Sequence, residues 1–285
     1  MPQSYTGNAQ RWAEKVEIDY FTQFIKAWIP FNAWFQNSFD EDRERQIIKA
    51  LKNGTNNPLR GRITRLLEQN DEDANEFKSN LARLHYHLER HNLANRGERL
   101  TFARCFLGSN PVNQISNERG FNGRIFTVER GVGRALQQNQ SNSNIFCEIV
   151  SSRHRPKIRF TKLQTRFNRQ EIEEDPMFIT LNDDERVELL LYYERINPRL
   201  MINLLDPANS RPPTGLSGRN APPSTITVGT IQFCDHPEYI FAGLVEVLYG
   251  LRNMLFHGEL TPTPEYNEVY EPAYFILRRF LKAIV

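Results

Sequence analysis

The sequence has few cysteines, no long hydrophobic run and no strong excess of charge of one sign. Its three cysteines, Cys105, Cys147 and Cys234, lie far apart and show no CxxC or zinc-ligand spacing. So sparse and odd a set argues for a reducing compartment and against a disulfide framework. No apolar run approaches the ~18 residues of a membrane span, and the N-terminus lacks a signal-peptide pattern. We therefore expect a soluble cytoplasmic protein that does not associate with membranes.

The charges nearly balance, with 36 Lys and Arg against 34 Asp and Glu, so the net charge indicates no partner. The acidic run at 171–175 is typical of a solvated surface, and no set of carboxylates suggests a metal site. The stretch 131–133 is too short for a nucleotide-binding loop, and no Walker lysine is present. Four helical residues are interpreted as solvated surface positions: His85, His87, Arg90 and His91. We expect neither a metal nor another cofactor.

Apolar residues recur at three- and four-residue spacing over much of the chain, which predicts long helices. These are expected over 10–37, 40–51, 60–91 with a break near Asp71, 182–197, 235–257 and 270–284, with a short helix at 200–205. The stretch from Asp235 to Glu238 has the form of a capping box with Asp235 as N-cap. Pro30 is expected to kink the first helix, and the Pro- and Gly-rich stretch at 206–230 to form a loop.

The middle of the chain has a different character, because short runs with period-2 alternation predict β-strands. These runs lie at 124–128, 145–150 and 157–163. Helices separated by loops indicate an up-and-down bundle. We predict a mainly α fold, a helical bundle with an inserted, partly β segment. Its parts are N-terminal helices at 1–92, a basic α+β insertion at 93–180 and C-terminal helices at 181–285.

The most informative stretch runs from Tyr249 to Gly258, at the end of an apolar helical pattern. Arg252 follows Leu248 by four residues, so we expect it on the buried face, where a charge must be paired or face a cleft. His257 comes five residues after Arg252, roughly 140° around an ideal helix. Either the last turn unwinds at Gly258 and the imidazole swings back, or a second subunit brings its own pair across an interface. Such a spacing also arises by chance.

Residues Arg252 to Gly258 resemble the RNxxxHG signature of HEPN domains, which are all-helical and usually ribonucleases. The stretch from Ala27 to Phe35 is similar to the W-x-x-F-N-x-W/Y pattern on the first helix of some HEPN groups. The two stretches lie more than 200 residues apart, so two independent coincidences would be needed. On this resemblance the bundle is HEPN-like, and the segment from about 93 to 230 is an insertion.

The resemblance implies a metal-independent endoribonuclease. His257 would act as general acid or base, Arg252 would stabilise the phosphoryl oxygens, and Asn253 would orient the phosphate or the imidazole. Attack by the RNA 2′-hydroxyl would leave a 2′,3′-cyclic phosphate and a 5′-hydroxyl. Asn32, a polar residue on the apolar stripe of the first helix, would hydrogen-bond into the same cleft. Alternatively, Asn32 packs between helices or caps the kink at Pro30.

A set of basic residues with no acid among them lies within the predicted insertion. This basic stripe comprises Arg153, Arg155, Lys157, Arg159, Lys162, Arg166 and Arg169. Alternating positions along a strand would present these charges on one face, which suits an RNA backbone. The alternative is an ordinary solvated strand that pairs with the acidic run at 171–175.

The resemblance also implies a homodimer, because the family typically dimerises and places two Arg/His sets in one groove. Its nucleases commonly act as toxins or antiviral-defence effectors, so an inhibitory or activating partner protein is expected beside the RNA substrate. A rival hypothesis is a non-catalytic HEPN-like module for RNA binding or dimerisation. A third is a HEPN protein silenced by a nucleotidyltransferase partner.

Overall fold

The computed structural model of the protein describes residues 18–39, 41, 43–54, 57–117, 122–137, 140–151, 157–211 and 223–284. The chain divides into two compact units. The first contains residues 1–107 and 201–285, and the second contains residues 108–200. The second unit thus differs in its boundaries from the insertion predicted from the sequence, which spans residues 93–180.

The first unit combines long helices with short strands. Its helices are α1 Tyr20–Ser38, α2 Glu44–Asn53, α3 Pro58–Glu68, α4 Glu72–His91, α9 Pro237–Phe256 and α10 Pro264–Ile284, and a 3₁₀ turn spans Pro207–Asn209. Its strands are β1 Ala94–Asn95, β2 Glu98–Arg99, β9 Thr225–Val228 and β10 Ile231–Cys234. The chain passes between the units within β3 Cys105–Ser109 and β8 Arg199–Ile202.

Buried aromatic rings hold α1 against α10. The ring of Phe31 lies 5.7 Å from that of Phe280, and the ring of Phe24 lies 5.4 Å from that of Tyr270. All four side chains are fully buried or nearly so, and edge-on aromatic pairs contribute about 0.5–1.5 kcal/mol beyond their buried area. The predicted apolar stripe of the first helix is therefore a core face, and α1 continues through Pro30.

Two predictions for the segment before α9 are wrong. Within the expected loop at 206–230, Thr225–Val228 forms β9, which pairs antiparallel with β10 around Gly229. Ile226 and Val228 are buried while Thr225 and Thr227 are exposed, the alternation of a strand with one packed face. The short helix expected at 200–205 is likewise absent, because Arg199–Ile202 is the extended strand β8.

The start of α9 also differs from the prediction. The N-cap is His236, which makes no side-chain capping bond. The carboxylate of Asp235 instead accepts hydrogen bonds from the Ser224 hydroxyl at 2.6 Å and from Arg211 Nη2 at 3.1 Å. The capping box fails because tertiary partners occupy the carboxylate that was expected to cap the helix.

The second unit contains a four-stranded antiparallel sheet and, among its described residues, four helices. Its strands are β4 Gln114–Ser116, β5 Arg124–Arg130, β6 Ile145–Ser151 and β7 Ile158–Gln164, in the order β4-β5-β6-β7. Its helices are α5 Gly133–Gln137, α6 Arg169–Glu173, α7 Pro176–Ile179 and α8 Asp183–Arg195. The three predicted β runs are confirmed by β5, β6 and β7. The helix predicted from 182 is confirmed by α8, whose start is capped by Asn182 and Glu185 in a capping box.

The predicted fold class, a mainly α bundle with its strands confined to one insertion, is wrong. Helices account for 54% of the described residues and strands for 19%, in several small sheets, so the fold is mixed α and β. The strand pairs β1–β2 and β9–β10 belong to the first unit itself. They are two to four residues long, too short for period-2 alternation to stand out in sequence.

The helix α9 is the central apolar helix of the first unit. By length and composition it could cross a membrane, but 67% of its most apolar window is buried inside the structure. Such burial is typical of a core helix. Its C-terminal end carries Arg252, Asn253 and the residue that follows the helix, His257.

Candidate functional site

The last turn of α9 ends in a Schellman motif at Gly258. The backbone N–H of Gly258 donates to the carbonyl of Leu255 at 3.3 Å, and that of Glu259 donates to the carbonyl of Met254 at 2.9 Å. Gly258 has a φ of 65°, a conformation that glycine adopts without the strain of a Cβ atom. The predicted stop at Gly258 is confirmed.

The helix stays wound up to His257, whose backbone N–H donates to the carbonyl of Asn253 at 2.9 Å. The idea that the turn unwinds and returns the imidazole toward Arg252 is therefore wrong. Five residues of a wound helix keep the two side chains roughly 140° apart around the axis. Arg252 meets Phe256 instead, with its guanidinium carbon 4.5 Å from the ring centroid.

The guanidinium of Arg252 is paired with Glu44, the first residue of α2. Nη2 lies 3.2 Å from Oε1 and Nη1 donates to Oε2 at 3.3 Å, which is a bidentate arrangement. Only 18% of the Arg252 side chain is exposed, so its charge needs this partner. The two residues are 208 positions apart, and no sequence pattern could have identified Glu44.

Neighbouring polar groups on α9 converge on this ion pair. Asn253 is buried, and its Oδ1 accepts a hydrogen bond from Arg252 Nη1 at 2.8 Å. The hydroxyl of Tyr249 donates to Glu44 Oε2 at 3.3 Å. Burial, followed by the negative charge of Glu44, raises the pKa of Tyr249, so this hydroxyl remains a donor at neutral pH. Arg252 Nε is buried without a hydrogen-bond partner among the described residues.

The imidazole of His257 is exposed and lies beside a second guanidinium. Its Nε2 is 3.5 Å from Nη2 of Arg96. Arg96 and Gly97 form the two-residue turn between β1 and β2, with φ values of 52° and 79°, as such hairpins require. The backbone N–H of Arg96 donates to Glu259 Oε2 at 3.1 Å. The sequence reading missed Arg96, since strands of two residues leave almost no pattern.

The two segments that resemble HEPN motifs meet in the core of the first unit. Trp28 on α1 is buried, and its ring lies 6.4 Å from that of Tyr249 on α9, three residues before Arg252. Asn32 follows Trp28 by about one turn. Its Oδ1 is buried and has no hydrogen-bond partner in the described part of the chain. Since buried polar atoms are usually bonded, this acceptor is an exception among the described residues.

Members of the basic stripe form ion pairs within the second unit. These pairs are Arg159–Glu185 at 3.1 Å, Lys162–Asp175 at 2.8 Å and Arg169–Glu173 at 2.9 Å. Lys162 lies two residues after the buried Phe160 on β7, so both side chains are on the same face of the sheet. The basic stripe therefore does not occupy a single exposed face. Among the described residues, Lys157 and Arg166 have no ion pair. Arg153 and Arg155 lie outside the described residues. This arrangement favours the alternative of a strand paired with nearby acids.

Glu185 is the most buried acid in this set, with 4% of its side chain exposed. It accepts hydrogen bonds from Arg124 Nε at 2.7 Å and from Arg159 Nη2 at 3.1 Å. Burial alone would raise the pKa of Glu185, but the hydrogen bonds from the two arginines outweigh burial and hold this pKa below its ordinary value. Arg124 and Arg159 therefore have a structural role in the second unit, because their side chains are bonded to Glu185.

A groove of about 810 Å³ lies elsewhere in the first unit, between α4 and the β9–β10 turn. Its lining includes Lys78, His85, Tyr86, Gly229 and Ile231. None of the residues predicted for the catalytic cleft lines it.

Comparison of the chain with protein-family models, with curated proteins and with solved structures gives no match. A functional assignment therefore depends on the residues of this chain and on their geometry.

Proposed function

We propose that this protein is an endoribonuclease that cleaves RNA by attack of the 2′-hydroxyl on the adjacent phosphate, without a metal. The observation that carries the proposal is the exposed imidazole of His257, with Arg96 Nη2 3.5 Å away, at the end of the helix that bears Arg252 and Asn253. An imidazole titrates near neutral pH and can move protons, and a guanidinium stabilises phosphoryl oxygens. The resemblance to the HEPN ribonuclease signature supports the same chemistry.

Each residue of the site has a separate role in the proposed cleavage reaction. His257 takes the proton of the 2′-hydroxyl or gives one to the leaving 5′-oxygen. The guanidinium groups of Arg252 and Arg96 stabilise the non-bridging oxygens as charge grows in the transition state. Asn253, through its hydrogen bond to Arg252, keeps the guanidinium oriented, and Asn32 offers an acceptor to the cleft. The products are a 2′,3′-cyclic phosphate and a 5′-hydroxyl.

The ion pair between Glu44 and Arg252 affects how a phosphate can bind in this mechanism. The Glu44 carboxylate already pairs with Arg252, so a phosphate must share or displace that partner. The same pair favours the second candidate function, a non-catalytic module for RNA binding or dimerisation, because it gives Arg252 a structural role without RNA. Cleavage distinguishes the two candidates.

The proposal includes a homodimer, because Arg252 and His257 diverge around one helix and a second chain can complete the groove. In this dimer, Arg252 of one chain and His257 of its partner act on one phosphate. Lys157 and Arg166, with Arg153 and Arg155, would then contact RNA further from the cut. We propose a cytoplasmic toxin or antiviral effector, restrained or triggered by another protein.

The test is cleavage of RNA by the purified full chain in the presence of a chelator, with analysis of the ends formed. Wild type is expected to produce 2′,3′-cyclic phosphate and 5′-hydroxyl ends, and His257→Ala to lose at least about 10²-fold in rate. His236→Ala is the matched control, since His236 lies at the opposite end of the same helix and should leave cleavage unchanged.

Full activity in His257→Ala, with circular dichroism like that of wild type, would show that another group or a contaminating nuclease cuts the RNA. Binding of RNA without any cleavage by wild type would favour the non-catalytic module. A second readout is growth, because expression of wild type is expected to be toxic and expression of His257→Ala harmless.

A further inference from the structure

Two histidines and a glutamate that have no assigned role in cleavage meet between α4 and α10. His87 and His91 are one helical turn apart near the end of α4, and Glu268 lies on α10. His87 Nδ1 is 3.5 Å and His91 Nε2 is 3.9 Å from the same oxygen, Glu268 Oε2. The three atoms all lie within 4.8 Å of one another.

The two ring nitrogens are buried and unsatisfied. Only 12% of the His87 side chain and 10% of the His91 side chain are exposed, so the interpretation of both as solvated surface residues is wrong. Neither His87 Nδ1 nor His91 Nε2 has a hydrogen-bond partner within the described ranges. Leaving a buried polar atom unbonded costs about 1–3 kcal/mol. A ligand that bonds both nitrogens would remove that cost.

The chemistry of the three groups suits a zinc-class cation. Two imidazoles and a carboxylate are a common zinc donor set that leaves a position for water. A metal ion binds the neutral form of an imidazole. Half of the Glu268 side chain is exposed, so a cation can enter from solvent on that side.

The spacing needs only a small contraction to fit a metal. Zinc bonds of about 2.0–2.1 Å in a tetrahedral site bring ligand atoms to about 3.4 Å from one another. The rings of His87 and His91 are already stacked within 9° of parallel, with centroids 6.1 Å apart. Because the lone pairs of stacked rings lie in separate planes, metal binding requires both imidazoles to rotate while the three ligand atoms approach one another.

Arg90 competes for the same carboxylate. Its Nη1 lies 3.6 Å from Glu268 Oε2, and 55% of its side chain is exposed. An exposed ion pair of this kind contributes about 0–1 kcal/mol, which is far less than metal coordination. The arginine can swing into solvent when a cation binds.

We propose that His87, His91 and Glu268 form a binding site for a divalent zinc-class metal ion that ties the C-terminal end of α4 to α10. The ion takes no part in the proposed RNA cleavage, for which Arg252 and His257 suffice. The role of the ion is to stabilise the first unit. The proposed metal site does not depend on the proposed ribonuclease activity.

The test is a calorimetric titration of Zn²⁺ into the full chain after chelator treatment and desalting, together with thermal unfolding. Wild type is expected to bind one equivalent and to unfold at a higher temperature with zinc, because binding to the native state stabilises it. His91→Ala and Glu268→Gln should each weaken binding at least about tenfold, since each removes one ligand. The double variant His87→Ala/His91→Ala should not bind zinc.

Two control variants differ in the zinc affinity that is expected of them. His85→Ala lies on the same helix but outside the cluster and should bind zinc as wild type does. Arg90→Ala removes the competing cation and should bind zinc more tightly. Absence of saturable zinc binding by wild type, or undiminished binding by both the double variant and Glu268→Gln, would overturn the site. Glu268→Gln keeps the shape of an exposed side chain, so it remains informative even if a histidine variant fails to fold.

Discussion

Arg252 is the one basic residue of the largely apolar helix α9, and its neighbours show how its positive charge is accommodated. Glu44 supplies the opposite charge, Asn253 accepts one hydrogen bond, and the Phe256 ring lies 4.5 Å below the guanidinium carbon. These contacts fix the plane of the guanidinium, which a flexible ammonium could not reproduce. The geometry of one residue thus decides which oxygens of a phosphate it can reach.

The exchange Arg252→Lys tests this dependence at the residue scale. Lysine keeps the charge but loses the bidentate geometry and the contact with Phe256, so RNA cleavage is expected to fall about 10²-fold. Single-turnover cleavage under saturating RNA measures the loss. Arg45→Lys is the matched control on α2, because Arg45 pairs with Glu246 rather than with Glu44. Cleavage by Arg252→Lys at the wild-type rate would remove Arg252 from the mechanism.

At the scale of elements, Glu185 connects α8 to two strands of the sheet in the second unit. It begins α8 as part of a capping box, while Arg124 on β5 and Arg159 on β7 donate to its carboxylate. Because the folded-state pKa of Glu185 is lowered, its contribution to stability is present above the ordinary pKa of 4.5. That contribution is lost as the pH falls through the lower, folded-state value.

The exchange Glu185→Gln tests this connection. Glutamine at this position can keep the capping box but leaves both arginines without their carboxylate, so the free energy of unfolding at pH 7 should fall by about 3 kcal/mol. Urea unfolding monitored in the second unit measures the change. The difference between wild type and variant should shrink as the pH drops below 4.5. A difference that is the same at acid and neutral pH would contradict the assigned role.

The elements that sequence could predict are those with strong local signals. The start of α8 was predictable because Asn182 and Glu185 cap it within four residues of sequence. The start of α9 was not, because Asp235 bonds Ser224 and Arg211, eleven and 24 residues away. Strand β9 was missed since its four residues follow a Pro- and Gly-rich stretch. Local capping is visible in sequence, whereas competition by tertiary partners is not.

At the scale of the whole molecule, the proposed nuclease needs Arg252 and His257 at the same phosphate, although a single helix points these two side chains in different directions. Arg252 and His257 diverge by roughly 140° on a wound helix, and a symmetric dimer brings the same surface of two chains together. A composite groove would therefore contain Arg252 from one chain and His257 from the other. Each dimer would then have two equivalent sites.

Mixing two inactive variants tests the composite groove. Arg252→Ala and His257→Ala, combined in equal amounts and allowed to exchange subunits, should regain roughly a quarter of wild-type cleavage, since half of the dimers are mixed and each has one intact site. Each variant alone should remain inactive. Absence of any recovery, when mass spectrometry detects mixed dimers, would show that the groups of one site belong to one chain.

The sequence by itself determined the long helices, the strands of the second unit and the Arg252-Asn253-x3-His257 array, because these depend on local periodicity and spacing. Only the tertiary structure decided the mixed fold class, the pairing of Arg252 with Glu44, the approach of Arg96 to His257, and the meeting of His87 and His91 with Glu268. Each of these joins residues 161 to 208 positions apart or rests on strands of two to four residues. Contacts of this kind arise from packing, and no local pattern specifies them.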